Sequence, residues 1–237
     1  MRKKPSSILF PWFLSAALIV GAALSSVSHA GQAVEAAADP VQGPGLALPA
    51  ETAAFKTMFA AGEDPHAVIY EIKPGDTLGA ISKKHHVTID LIQRINGLTS
   101  DKIRPGKKLK IPSYVFSVVV DKSQNTLILK GDEEVLKTYQ VSTGENNATP
   151  TGVFKVTDRL VNPTWYKEGA VAPYGDPRNI LGTRWIGFDK EGYGIHGTTE
   201  PEKLGQQVTS GCVRLRNEEV EELFIFTASG AEVTVVD

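Results

Sequence analysis

VFSVVVDKSQNTLILK, residues 115–130, sets β-branched and aromatic runs on either side of Ser123-Gln124-Asn125. Such runs around a short polar triplet read as two strands, 115–120 and 126–130, joined by a hairpin turn. Working outward, Gly131-Asp132 makes a second turn and 135–142 a third strand. Thr149-Pro150-Thr151-Gly152 precedes a fourth strand at 153–157. Residues 185–188 and 193–196 frame another turn. Asn217 is expected to cap a helix over 218–226, whose early acids suit the helix dipole. Ser229-Gly230 leads into a last strand at 232–236. Many short strands and one clear helix predict a β-rich, sandwich or barrel-like domain over 113–237.

Upstream, the pattern changes. Residues 68–72 are strand-like, and Lys73-Pro74-Gly75-Asp76 turns the chain. Asp76 or Thr77 can cap a helix that carries Leu78 and Ile81 at helical spacing. His86-Val87-Thr88 breaks it, and Thr88 can cap a second helix with Leu91, Ile92 and Ile95 on one face. Asn96-Gly97 is a left-handed stop. Arg104-Pro105-Gly106 turns into a strand at 109–111. The order over 68–112 is βααβ. Adjacent His85 and His86 cannot share a metal from one helix face and read as surface residues.

Residues 1–30 differ from the rest of the 237. Arg2, Lys3 and Lys4 precede an apolar run from Ile8 to Val27, and Ser28-His29-Ala30 offers a cleavage-like end. This is the pattern of a secretory signal peptide, with an uncleaved N-terminal membrane anchor as the alternative, and either places the protein outside the cytoplasm. Residues 31–67 read as a linker or lead segment, rich in Ala, Gly and Pro, with a short helix expected over 51–61 bearing Phe55, Met58 and Phe59. Formal net charge is -2, from 25 Lys+Arg and 27 Asp+Glu. A chain-wide basic footprint for nucleic acid is therefore excluded. Charge is distributed in blocks, with nine basic and four acidic residues in 68–112 against twelve and eighteen in 113–237. The single cysteine, Cys212, excludes an internal disulfide framework and a cysteine-cluster zinc site.

The chemistry gathers around that cysteine. His196-Gly197-Thr198 ends a strand, and Ser210-Gly211-Cys212-Val213-Arg214 follows, with Cys212 sixteen residues beyond the histidine. Thiol attack needs a thiolate and a base, and histidine changes protonation near neutral pH. Gly211 lets the backbone turn sharply before Cys212, so that amides can face a developing oxyanion. Gly197 leaves a carbonyl accessible beside His196 for orienting the ring. Taken alone, a histidine and a cysteine fit a buried core better than a catalytic pair.

The wider strings resemble a known family. His196-Gly197-Thr198…Pro201…Leu204-Gly205…Val208-Thr209-Ser210-Gly211-Cys212-Val213-Arg214-Leu215 resembles the signature of the YkuD-type L,D-transpeptidase catalytic domain. Residues 149–154, 162–165 and 181–185 agree with it. The resemblance implies Cys212 as nucleophile, His196 as base and the Gly197 carbonyl as its holder. The amides of Ser210, Gly211 and Cys212 would form the oxyanion hole. Arg214 would support the loop or meet a substrate carboxylate, and Thr209 and Trp185 are expected at the substrate. Ser210 stands where the family usually has a ring or a charge, so no side-chain role is expected there.

Residues 68–112 resemble the LysM module through Tyr70, Pro74-Gly75-Asp76-Thr77-Leu78, Ile81, Leu91, Asn96-Gly97-Leu98, Pro105-Gly106 and Leu109-Lys110-Ile111-Pro112. That implies binding of N-acetylglucosamine-containing glycan, above all peptidoglycan, by Gly75, Asp76, Thr77, Leu78, Asn96, Gly97 and Leu98. Together the resemblances imply an envelope enzyme, in the periplasm or cell wall, that needs no metal or cofactor. It would cleave the bond between residue three and D-Ala of a tetrapeptide stem and pass the acyl group to an amine, on a second stem or on a wall protein. Water as acceptor would make it an L,D-carboxypeptidase, and a dead catalytic domain would leave a wall-binding protein. The two modules are expected to work independently.

Overall fold

The computed structural model describes residues 50–167 and 169–237. The signal-like segment lies outside them. Helix α1 (Ala53–Phe59) starts at Thr52, whose Oγ1 accepts from the Phe55 amide at 3.2 Å. The lead segment therefore ends in a packed helix, with Phe55 and Met58 buried.

The βααβ order follows as β1 (Ala67–Glu71), α2 (Leu78–His85), α3 (Ile89–Asn96) and β2 (Lys108–Pro112). Strands β1 and β2 pair antiparallel, from Ala67 opposite Pro112 to Glu71 opposite Lys108. Thr77 and Thr88 cap the helices through hydroxyls that accept from the Ala80 and Leu91 amides. His86 and Gly97 end them in left-handed conformation. Leu78, Ile81, Leu91 and Ile92 bury the facing sides. His85 departs from its expected surface position. It is half-buried, its ring meets Tyr70 edge-on at 5.6 Å, and burial holds its pKa down.

The rest is β-rich, as the alternating pattern implied. The strands are β3 (Phe116–Asp121), β4 (Thr126–Gly131), β5 (Glu134–Gln140), β6 (Thr143–Gly144), β7 (Gly152–Val161), β8 (Trp165–Lys167), β9 (Ala170–Ala172), β10 (Arg184–Phe188), β11 (Gly194–His196), β12 (Gln207–Thr209) and β13 (Val213–Arg214). Helix α4 (Asn217–Phe226) and β14 (Glu232–Val236) complete the chain. Eight strands form one sheet in the order β13-β11-β10-β7-β14-β3-β4-β5; β12 pairs with β6 and β8 with β9. Strands β3 and β4 alternate buried and half-buried residues, the period-two pattern of a sheet with one face on the core.

Two strand limits differ from expectation, and both follow long-range partners. The third strand stops at Gln140 because Ser142 leaves β4 and exchanges backbone bonds with Arg214. The fourth runs on to Val161 because β14 and β10 flank successive parts of it.

Helix α4 begins at Asn217, one residue before the expected start, and its N-cap is Arg216. The Arg216 amide donates to Glu219 Oε2 at 3.2 Å, so Asn217 is free of the capping role. At the other end, Phe226 packs against Phe55, Phe59 and Phe116 with ring centroids at 5.6, 6.1 and 5.2 Å. The Thr88 hydroxyl donates to the Ile225 carbonyl, and Arg159 bonds the Phe224 carbonyl at 2.6 Å while pairing with Asp90 at 3.6 Å. Through these contacts α1, α3 and α4 share one core.

Candidate active site

Strand β11 carries His196, and its parallel neighbour β13 follows directly after Cys212. Ile195 pairs with Val213 and His196 with Arg214. Extending that register by one residue sets Cys212 beside Gly194, on the same face as His196 and diagonal to it. A Cβ on Gly194 would come within 2.6 Å of the Ile186 carbonyl and 2.9 Å of the Trp185 ring. The Sγ lies 3.5 Å from the Gly192 carbonyl.

Gly211 has a φ of +131°, and a Cβ there would come within 2.7 Å of the Tyr193 ring and 3.0 Å of the Ala148 carbonyl. Only glycine makes this turn without strain. The Gly211 amide donates to Thr209 Oγ1 at 3.0 Å, and that hydroxyl donates to the Cys212 carbonyl at 2.6 Å. This revises two expectations. The Gly211 amide is engaged within its own loop, and Thr209, 3 % exposed, supports the loop from behind.

His196 is 2 % exposed. Its Nδ1 lies 2.6 Å from the Gly197 carbonyl. A carbonyl only accepts, so Nδ1 carries the proton and Nε2 offers its lone pair. Burial drives the His196 pKa down to about 4; the Gly197 bond acts the other way, and the Arg214 charge adds to the fall. Burial pushes the Cys212 thiol up, offset in part by the Gly194 amide and Arg214. Both directions favour a neutral thiol beside a neutral imidazole at rest, not the ready-made ion pair that a thiolate mechanism suggests.

Trp185 stacks on the His196 ring, with centroids 5.9 Å apart and planes at 24°. It also lines a cleft of about 290 Å³ with Leu160, Pro163, Thr164, Trp165, Tyr166, Leu181, Gly192 and Cys212. Among the described residues, no charged side chain lines this cleft. Arg214 departs from its expected place at the substrate: its side chain is 11 % exposed and Nη1 pairs with Glu200 at 3.1 Å. That is the loop-supporting alternative. Sequence reasoning gave no role to Leu160, Trp165 or Tyr166, because their nearness to Cys212 depends on residues far along the chain lining one cleft.

On the βααβ module the proposed glycan residues are mostly structural. Leu78 is 1 % exposed and belongs to the core, which removes it from any groove. Thr77 is the helix cap. The Asp76 carboxylate accepts from the Lys73 amide and the Tyr70 hydroxyl, both at 2.8 Å, and these bonds lower its pKa. The Asn96 side chain ties α3 to β2 through the backbone of Ile92 and Lys110. Gly75 and Gly97 have φ of +88° and +61°, as their turns require. Leu98 and Asn96 also face a groove of about 330 Å³ with Ile72, Ile103, Arg104 and Leu109.

Comparison with known proteins gives three findings. Residues 116–235 match the family model for the L,D-transpeptidase catalytic domain, and residues 70–112 match the LysM domain. A Bacillus subtilis protein provisionally named as the L,D-transpeptidase YqjB is 41 % identical, over 51 % of this chain and 70 % of its own. A second from that organism, provisionally named YkuD, is 30 % identical, over 70 % of this chain and 97 % of its own. Among solved structures, an L,D-transpeptidase from Mycobacterium smegmatis aligns at 20 % identity over 56 % of this chain and 64 % of its own, with a TM-score of 0.46.

Proposed function

The chain belongs to the L,D-transpeptidase family and carries a LysM domain, and on that premise we propose that it is a peptidoglycan L,D-transpeptidase with Cys212 as nucleophile and His196 as base. One observation carries this reading. The single cysteine lines the cleft with Trp185, and Trp185 stacks on a histidine whose Nδ1 is tied to the Gly197 carbonyl, which leaves Nε2 to take a proton.

Because both groups rest neutral, thiol deprotonation accompanies attack. Sγ adds to the carbonyl carbon of the third stem residue, the thiol proton passes to Nε2, and the carbonyl oxygen becomes an oxyanion. With the Gly211 amide committed, the amides of Ser210 and Cys212 are left to meet that charge. Collapse of the adduct breaks the bond to D-Ala, whose amine leaves with the proton from Nε2. A thioester on Cys212 remains. An amine then attacks, loses its proton to His196, and forms the new amide as the thiol departs. A stem amine gives a 3-3 crosslink, a wall protein's amine anchors that protein, and water gives carboxypeptidase activity. The uncharged cleft suits the aliphatic part of the stem, with Trp185 as its wall.

The proposed organisation is a signal peptide over 1–30, a lead segment over 31–67, a LysM module over 68–112 and the catalytic domain over 113–237. Such a chain works in the cell envelope, with the LysM module raising local substrate concentration on the polymer.

The test is incubation of the purified protein with a soluble disaccharide-tetrapeptide, read by mass. A crosslinked dimer, or monomer lacking D-Ala, is expected, along with its complete loss in Cys212→Ala. Release of D-Ala by Cys212→Ala would refute the cysteine mechanism.

A further inference from the structure

The first residue of α4 reaches back into the site. The Asn217 Oδ1 accepts from the Thr183 and Thr198 amides, each at 3.2 Å, and Nδ2 donates to the Thr198 carbonyl at 3.0 Å. The two loops it joins carry the same dipeptide, Gly182-Thr183 and Gly197-Thr198. Both glycines are needed for the fit, because a Cβ on either would come to 2.1 Å from Asn217 Oδ1.

The Thr198 N–H and the Gly197 C=O belong to one peptide plane, and that plane is rigid. Its N–H end is held by Asn217 and its C=O end holds His196 Nδ1 at 2.6 Å. Fixing one end fixes where the other points. A hydrogen bond to the N–H also polarises the carbonyl and strengthens it as an acceptor. The chain Asn217–peptide 197–198–His196 thus selects the Nδ1-protonated tautomer and leaves Nε2 bare.

We propose that Asn217 is a positioning residue for His196, acting through the 197–198 peptide plane to set the ring's orientation and tautomer. Its bearing on turnover rests on His196 acting as the base, as proposed above; its bearing on the tautomer does not.

The test uses the full chain with ¹⁵N-labelled histidine. Asn217→Ala removes all three bonds, whereas Asn217→Asp keeps the Oδ1 acceptor that takes both amides and loses only the Nδ2 donor. The wild-type His196 signals should report Nδ1–H. In Asn217→Ala the Nε2–H form should appear, with kcat on the soluble disaccharide-tetrapeptide down about tenfold or more and KM little changed. Asn217→Asp should keep the Nδ1–H form and most of kcat.

A folded Asn217→Ala protein with an unchanged tautomer would overturn the proposal. If Asn217→Ala does not fold, Asn217→Asp decides alone, since a switch to Nε2–H with the Oδ1 acceptor in place would overturn it equally. Absence of Cys212-dependent turnover in the wild-type chain would instead count against the proposed function, and the tautomer result would stand apart from it.

Discussion

At the scale of the residue, His196 is the proposed base, yet it rests where burial resists a proton. Its pKa near 4, against 6.5 unfolded, means that between those values the unfolded chain binds more protons than the native one. Stability therefore rises with pH across that window and is lost as pH falls from 6.5 toward 4. The slope from one such group is about 1.4 kcal/mol per pH unit within the window. Carboxylates held low, such as Asp176 at about 2 through Arg178, add their own loss mainly at more acidic pH. Urea unfolding at pH 7, 6 and 5 should show the wild type weakening, while His196→Gln follows a flatter curve. Parallel curves would mean that the ring is not held neutral by the fold. The same burial favours the uncharged forms of His196 and Cys212, which is why the proposed mechanism moves the thiol proton as the bond forms.

At the scale of the element, α4 carries both ends of the argument. Its first residue ties the loops around His196, and Leu223, Phe224, Ile225 and Phe226 near its last turn are all buried. Four consecutive buried residues need partners around the whole helix, and α1, α3 and β3 supply them. Phe226 meets three rings, so Phe226→Ala should cost about 3–5 kcal/mol, the range for emptying a large core site. A urea midpoint unchanged from wild type would refute this packing. Strands β1 to β5, β7, β10, β11 and β14 and the helices were legible in the sequence because period-two alternation, threonine caps and glycine stops are local signals, whereas the short strands β6, β8, β9, β12 and β13 were not. What was not legible depended on partners far along the chain. The end of β5 needs Arg214, the length of β7 needs β10 and β14, and the inward turn of Asn217 needs two loops nineteen and thirty-four residues away. Cys212, His196 and Gly197 could be read from their strings. Leu78, Asn96, Thr209 and Arg214 could not be sorted into support and contact, because their residue types serve both.

At the scale of the molecule, the expectation of independent modules meets a shared interior. The Thr88 hydroxyl caps α3 and also donates to the Ile225 carbonyl of α4, so one side chain serves both halves. Asp90 faces Arg159 across the same junction, and the Arg159 guanidinium stacks on Phe224 at 3.9 Å. Removing residues 68–112 would bare the Ile225 carbonyl and uncover the apolar end of α4, close to Phe226. A buried acceptor stripped of its partner costs about 1–3 kcal/mol before any apolar area is counted. The chain without 68–112 should therefore unfold at a lower urea midpoint, and its turnover of soluble tetrapeptide should fall with the folded fraction. Thr88→Val removes the hydroxyl, and with it both the α3 cap and the bond to Ile225, but leaves residues 75–78 and 96–98 in place. It should shift the midpoint by about 1–2 kcal/mol, while sedimentation with isolated peptidoglycan stays as in the wild type. A deletion variant as stable and as active as the whole chain would restore the independent reading. The LysM module would then be a tether, and α4 would need no neighbour to hold Asn217 against the His196 loop.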